Sequence, residues 1–136
     1  RYNNNNDCFI HIRLGDVKKF NPGFYYYDKI LSKLNFDNLY VASDSPHHQI
    51  IKNLKKKYIN LKLYDGDLDD IILFGSTNKY VILSYGTFSG AIGYLSFYSQ
   101  VYSLKYCAKY SWDYDNIHEC IIFEDKSNKV GKWIVN

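Results

Sequence analysis

Cys8-Phe9-Ile10-His11-Ile12-Arg13-Leu14-Gly15-Asp16 is the stretch from which the rest of the chain can be read. Five apolar residues, several of them β-branched or aromatic, surround one histidine and one arginine, and Gly15-Asp16 stops the run. This is the pattern of a short buried strand. On an extended strand, residues two apart project to the same side, so His11 and Arg13 share a face while Ile12 points into the opposite layer. An arginine in so apolar a strand needs an anionic partner. Its planar fork suits phosphate oxygens, although an internal pairing with Asp16 or Asp44 would also satisfy it.

Beyond this stretch, strand and helix signals alternate. Residues 25–34 put Tyr27, Ile30, Leu31 and Leu34 at helical spacing, with Lys29 and Lys33 outward. Leu39-Tyr40-Val41-Ala42-Ser43 reads as a second strand. Ser45-Pro46 then looks like a cap and first residue of a helix whose apolar stripe is Ile50, Ile51, Leu54 and Tyr58. A third strand is expected at 61–64, a short helix from an Asp67 cap through residue 73, a fourth strand at 80–83, a small-residue-rich helix at 87–97, and strand-like pieces at 101–104, 120–123 and 132–135. Such short exchanges of strand and helix call for right-handed crossovers. The expected fold is therefore α/β, a Rossmann-like parallel sheet with helices on both faces. Residues 1–7, Arg1-Tyr2-Asn3-Asn4-Asn5-Asn6-Asp7, read as a linker or frayed end, and 8–136 as one domain.

Composition narrows the classes. With 136 residues there is enough chain for one core, and a net charge of +3 is modest. Lys52, Lys55, Lys56 and Lys57 bunch together, but they interleave with a core-facing stripe and read as a solvated helix face, so no nucleic-acid partner is expected. Cys8, Cys107 and Cys120 are odd in number and widely spaced, which suggests free thiols in the cytoplasm or another reducing compartment. His47, His48 and His118 lack metal-ligand spacing, and no metal or other cofactor is expected. Neither a leader nor a membrane span is evident, and with Arg1 in first position the chain reads as a piece of a longer protein.

In a parallel α/β sheet the ligand sits beyond the carboxyl ends of the strands. Three clusters fall there: His11 to Asp16, then Ser43-Asp44-Ser45, then Ser84-Tyr85-Gly86-Thr87-Phe88-Ser89-Gly90. The last combines hydroxyls, glycines and a helix start, the means by which backbone N–H groups gather around an anion. Beside Arg13 it makes a candidate diphosphate cradle. Asp69 and Asp70 lie in the first turn of a helix, where acidic residues favour the dipole. A carboxylate there could also accept hydrogen bonds from the N1–H and N2 amino group of guanine. Asp44 could cap its loop or touch the ligand.

These residues together resemble the GT-B fucosyltransferase superfamily, which includes the α-1,2-, α-1,6- and protein O-fucosyltransferases. His11 to Asp16 matches an HxRxGD-type motif, Tyr40-Val41-Ala42-Ser43-Asp44-Ser45 is similar to a second motif, and 70–89 resembles a third, in which an aspartate precedes an S-x-x-(S/T)-F-S stretch. The resemblance spans about 8–98 and implies the donor-binding half of a glycosyltransferase that uses GDP-fucose or another GDP-sugar. It implies that Arg13 contacts the β-phosphate as the catalytic residue and that His11 lies near the nucleoside. Asp70 would read guanine, and Thr87, Phe88 and Ser89 would line the phosphates, with Gly15, Asp16, Asp44 and Ser84 completing the donor site. It further implies inverting transfer to a glycan or protein acceptor, with an acceptor half and its general base lying before residue 1. Tyr85-Gly86 before Thr87, and Gly90-Ala91 where paired tryptophans are usual, depart from the α-1,2 pattern. A non-catalytic nucleotide-binding or interaction module of the same fold is the alternative.

Overall fold

The protein is described by a computed structural model that covers residues 1–14, 22–84, 86–103 and 132–135. Its elements run β1 (Cys8–Ile12), α1 (Phe24–Leu31), β2 (Leu39–Ser43), α2 (Gln49–Lys57), β3 (Lys62–Leu63), α3 (Leu68–Gly75), β4 (Tyr80–Ile82), α4 (Thr87–Tyr94), β5 (Gln100–Ser103) and β6 (Lys132–Val135). The six strands form one sheet in the order β3-β2-β1-β4-β5-β6, and every neighbouring pair is parallel. This is the Rossmann-like arrangement. The chain steps outward from β1 to β3, then returns across the sheet to β4 on the other side of β1. The strand order therefore reverses between β1 and β4.

Alternation along β1 sorts the core into two layers. Cys8, Ile10 and Ile12 pack with Tyr27, Ile30 and Leu31 of α1 and with Ile51 and Leu54 of α2. Phe9 turns the other way, toward Ile92 of α4 and the half-buried Ile71, Ile72 and Phe74 of α3. Helices thus cover both faces, and β1 is buried along its whole length, as a central parallel strand must be. Full burial of a side chain such as Leu54 contributes roughly 2 kcal/mol. The lysines of α2 are exposed opposite Ile51 and Leu54, which is the solvated face expected of them. Lys57 pairs with Asp28 of α1 at 2.8 Å, and Tyr58 donates to the same carboxylate at 2.6 Å, tying the two helices together. Both partners hold the Asp28 carboxyl below its usual range.

Several boundaries differ from expectation. Helix α2 begins three residues beyond Pro46, because the Ser45 carbonyl accepts from His48 N–H and closes a tight turn. His48 is the cap instead, its Nδ1 accepting from Ile50 N–H at 3.1 Å. Asp67 does cap α3, accepting from Asp70 N–H at 2.8 Å. Helices α1 and α4 end at Leu31 and Tyr94, short of the expected 34 and 97. The expected strand at 120–123 lies outside the described residues, as do Cys107, Cys120 and His118.

Residues 1–7, expected as a linker or frayed end, are fastened to the fold. Arg1 donates to Asp7 at 3.0 Å and to Asn78 at 2.8 Å, and its guanidinium lies over the Phe74 ring. Asn5 donates to the Thr77 carbonyl and accepts from Lys79 N–H. The asparagines act as backbone mimics that stitch the amino end of β1 to that of β4, a role that low sequence complexity conceals. Asp7 is correspondingly buried. Among the described residues no helix is long and apolar enough to cross a membrane.

Candidate functional site

A strand-order reversal is where parallel α/β sheets carry their ligand crevice, and here polar residues at the carboxyl ends of β1 and β4 meet at that point. His11 projects from β1 toward α4, the side opposite Ile10 and Ile12. Its Nδ1 lies 3.0 Å from Ser89 Oγ, and its ring packs against Phe88 with centroids 5.0 Å apart. Ser89 also accepts from Ser84 N–H at 3.0 Å, while Ser84 Oγ accepts from Arg13 N–H at 3.0 Å. Two serines thereby join the ends of β1 and β4 to the first turn of α4. Ser84 and Ser89 are fully buried, and such buried hydroxyls must find partners.

Arg13 is half-buried beside the start of α4. Gly86, the residue before that helix, adopts φ 113 and ψ 165, a region essentially reserved for glycine. A Cβ built there would stand 2.8 Å from Arg13 Nη1 and 3.3 Å from Cδ. The guanidinium therefore occupies the space a side chain at 86 would need. Helix α4 makes its first bond from Gly90 N–H to the Gly86 carbonyl, which leaves the amides of residues 87–89 ahead of the helical ladder. A cation and a helix start converge on one end of the sheet.

Asp44 secures the other flank. Its Oδ1 accepts from Leu14 N–H at 2.8 Å, so the carboxylate at the end of β2 fixes the backbone where β1 ends. Tyr26 reaches from α1 to the end of β4, donating to the Leu83 carbonyl at 3.0 Å. Nothing in the sequence singled out Tyr26. It neighbours the core-facing Tyr27 in a tyrosine-rich chain, and only the crossover geometry brings it to the crevice.

Burial pulls the His11 imidazole from 6.5 down to about 4; the Asp44 carboxylate opposes that fall and the Arg13 guanidinium adds to it. His11 is thus a neutral ring at physiological pH. The local positive charge comes from Arg13.

The expected residues do not all gather at one point. His11, Arg13, Ser84, Phe88 and Ser89 converge, and Asp44 adjoins them through Leu14. Asp70 stands apart, exposed on the first turn of α3 beyond the carboxyl end of β3. Two strand spacings separate β3 from β1, about 10 Å. Gly15 and Asp16 lie outside the described residues, and so does the side chain of Thr87. Among the described residues no group of three His, Cys, Asp or Glu side chains could hold a metal ion. Compared with known protein families, curated proteins and solved structures, the chain matches none.

Proposed function

We propose that this chain is the donor-nucleotide half of a fucosyltransferase-like GT-B glycosyltransferase, binding GDP-fucose or another GDP-sugar without a metal. The observation that carries the reading is the packing of the Arg13 guanidinium against Gly86 at the strand-order reversal. A diphosphate there meets a forked cation and the amides that open α4 ahead of its helical ladder, the two kinds of donor that anions favour. The exposed Asp70 carboxylate, in the first turn of the helix that follows β3, suits a base with two adjacent N–H donors, and guanine presents that pair.

In the reaction this implies, the acceptor hydroxyl oxygen bonds to the anomeric carbon from the face opposite the diphosphate. The bond to the diphosphate oxygen breaks, and its electron pair leaves with the nucleotide. Negative charge grows on that leaving group, where Arg13 and the start of α4 are already fixed. Preorganised donors aimed at developing charge contribute about 3 kcal/mol or more. The hydroxyl proton goes to a base on an acceptor half. The one basic nitrogen in the proposed His11 state, Nδ1, is engaged by Ser89, and Asp44 accepts from the Leu14 N–H, so neither is given that role.

The test is calorimetric titration of the chain with GDP, GDP-fucose, UDP and ADP in the presence of EDTA, with Arg13→Ala as control. Guanine-selective binding that disappears in the variant is the expected result. Equal binding of all four nucleotides, or binding indifferent to Arg13→Ala, would overturn it. In a protein supplied with its acceptor half, Arg13→Ala should lower turnover about a hundredfold. Binding without transfer in that setting would leave the nucleotide-binding module as the correct reading.

A further inference from the structure

The buried serine pair bears on which nitrogen of His11 carries the proton. Ser89 Oγ already accepts from Ser84 N–H, so one lone pair is used. The hydroxyl is fully buried, and among the described residues its own hydrogen has one acceptor within reach, His11 Nδ1 at 3.0 Å. If Nδ1 carried the proton, Ser89 would accept twice and its buried hydrogen would be left without an acceptor, at about 1–3 kcal/mol. If Ser89 donates to Nδ1, both the Ser89 hydroxyl and Nδ1 are satisfied. The proton then resides on Nε2, which has no hydrogen-bond partner among the described residues.

We infer that Ser89 is a positioning residue that locks His11 as the Nε2–H tautomer, so that the crevice is offered a neutral hydrogen-bond donor rather than a base. The relay runs from Ser84 N–H to Ser89 Oγ and from Ser89 O–H to Nδ1. It fixes ring orientation as well as tautomer, and the Phe88 ring at 5.0 Å closes one side of the imidazole. Taken with the proposed donor site, on which this last step rests, Nε2–H would donate to an acceptor oxygen or ring nitrogen of the bound nucleotide. The neighbouring charges act in opposite senses, with Asp44 favouring the imidazolium and Arg13 disfavouring it. Neither alters the lone-pair count at Ser89.

The experiment is nitrogen-15 NMR of the imidazole in the ligand-free chain, across an acid titration, for the wild type, Ser89→Ala and Ser89→Thr. In the wild type Nδ1 should resonate as a bare, hydrogen-bonded nitrogen and Nε2 as a protonated one. In Ser89→Ala the Nδ1 signal should lose its hydrogen-bond shift, and the His11 titration midpoint should rise by about one pH unit, a tenfold change in proton affinity. Ser89→Thr, which keeps the hydroxyl, should restore both. A protonated Nδ1 in the wild type would overturn the inference even if Ser89→Ala does not fold, and an unmoved midpoint in a folded Ser89→Ala would do the same. Adding GDP then separates the two proposals. A shift at Nε2 supports the contact, an unmoved Nε2 signal with GDP bound refutes it, and a correct tautomer with no GDP binding refutes the donor site alone.

Discussion

Gly86 and Arg13 share one volume: the backbone of the first lies where the guanidinium of the second would strike any Cβ, 2.8 Å from Nη1. Two separate demands fall on residue 86. Its φ of 113 excludes ordinary side chains, and its neighbour leaves no room for one.

Gly86→Ala tests that relationship. The backbone strain alone should cost about 1–3 kcal/mol, read as a lower urea midpoint with unchanged slope. Arg13 must also swing away from the start of α4, so nucleotide affinity should fall further than stability predicts. Full affinity in a folded Gly86→Ala would separate the guanidinium's position from binding.

Acid should loosen the fold through His11. Its folded value of about 4 lies below the ordinary 6.5, so between those limits the unfolded chain binds more protons than the native one. Stability is complete above pH 6.5 and declines as the pH falls toward 4, by about 3 kcal/mol in all. Urea unfolding of wild type and His11→Asn at pH 7, 5 and 4 isolates this contribution. The variant should show a shallower loss. Parallel curves would show that His11 does not titrate as a buried base.

The parallel sheet was legible because its strands are short apolar runs set between helical stripes, and β2 and β6 fall on their expected residues. His11 and Arg13 could be paired from a two-residue spacing alone. What the sequence did not reveal was a choice between competing local turns and a set of contacts made at a distance. His48 displaced Ser45 as the cap of α2 because a turn closed first, and Asn5 stitched two strands 74 residues apart at its bond to Lys79. Tyr26 met the end of β4 only through the crossover of α1. Ser89 was marked as a phosphate-lining residue, yet its hydroxyl turns inward to His11 and Ser84, a direction set by packing.

Asp70 should govern which base is bound, and little else. Its carboxylate is exposed, and it is the N–H of Asp70, not its side chain, that the Asp67 cap uses. Asp70→Asn therefore leaves helix α3 capped, with a stability change within about 0.5 kcal/mol. Calorimetry should show GDP affinity reduced roughly tenfold or more while ADP and UDP change little, because the amide sets an NH2 donor where the carboxylate's second oxygen would accept from the base. Equal losses for all three nucleotides would mean that Asp70 acts through general electrostatics and does not read the base.

Gly75 supplies the sharpest test of packing away from the crevice. At the end of α3 a Cβ would meet Phe9 Cε1 at 2.6 Å and Cδ1 at 2.9 Å. Phe9 is fully buried in the central strand, edge-on to Phe74, and its ring has no open side to move into. Unlike the Arg13 side chain at Gly86, this obstacle cannot swing toward solvent. Gly75→Ala should therefore destabilise the protein by about 1–3 kcal/mol even though alanine is the better helix former, and Phe9→Leu in the same chain should recover part of the loss. A neutral Gly75→Ala would mean that α3 sits farther from β1 than this packing requires, and α3 is the element that carries Asp70 toward the proposed base site.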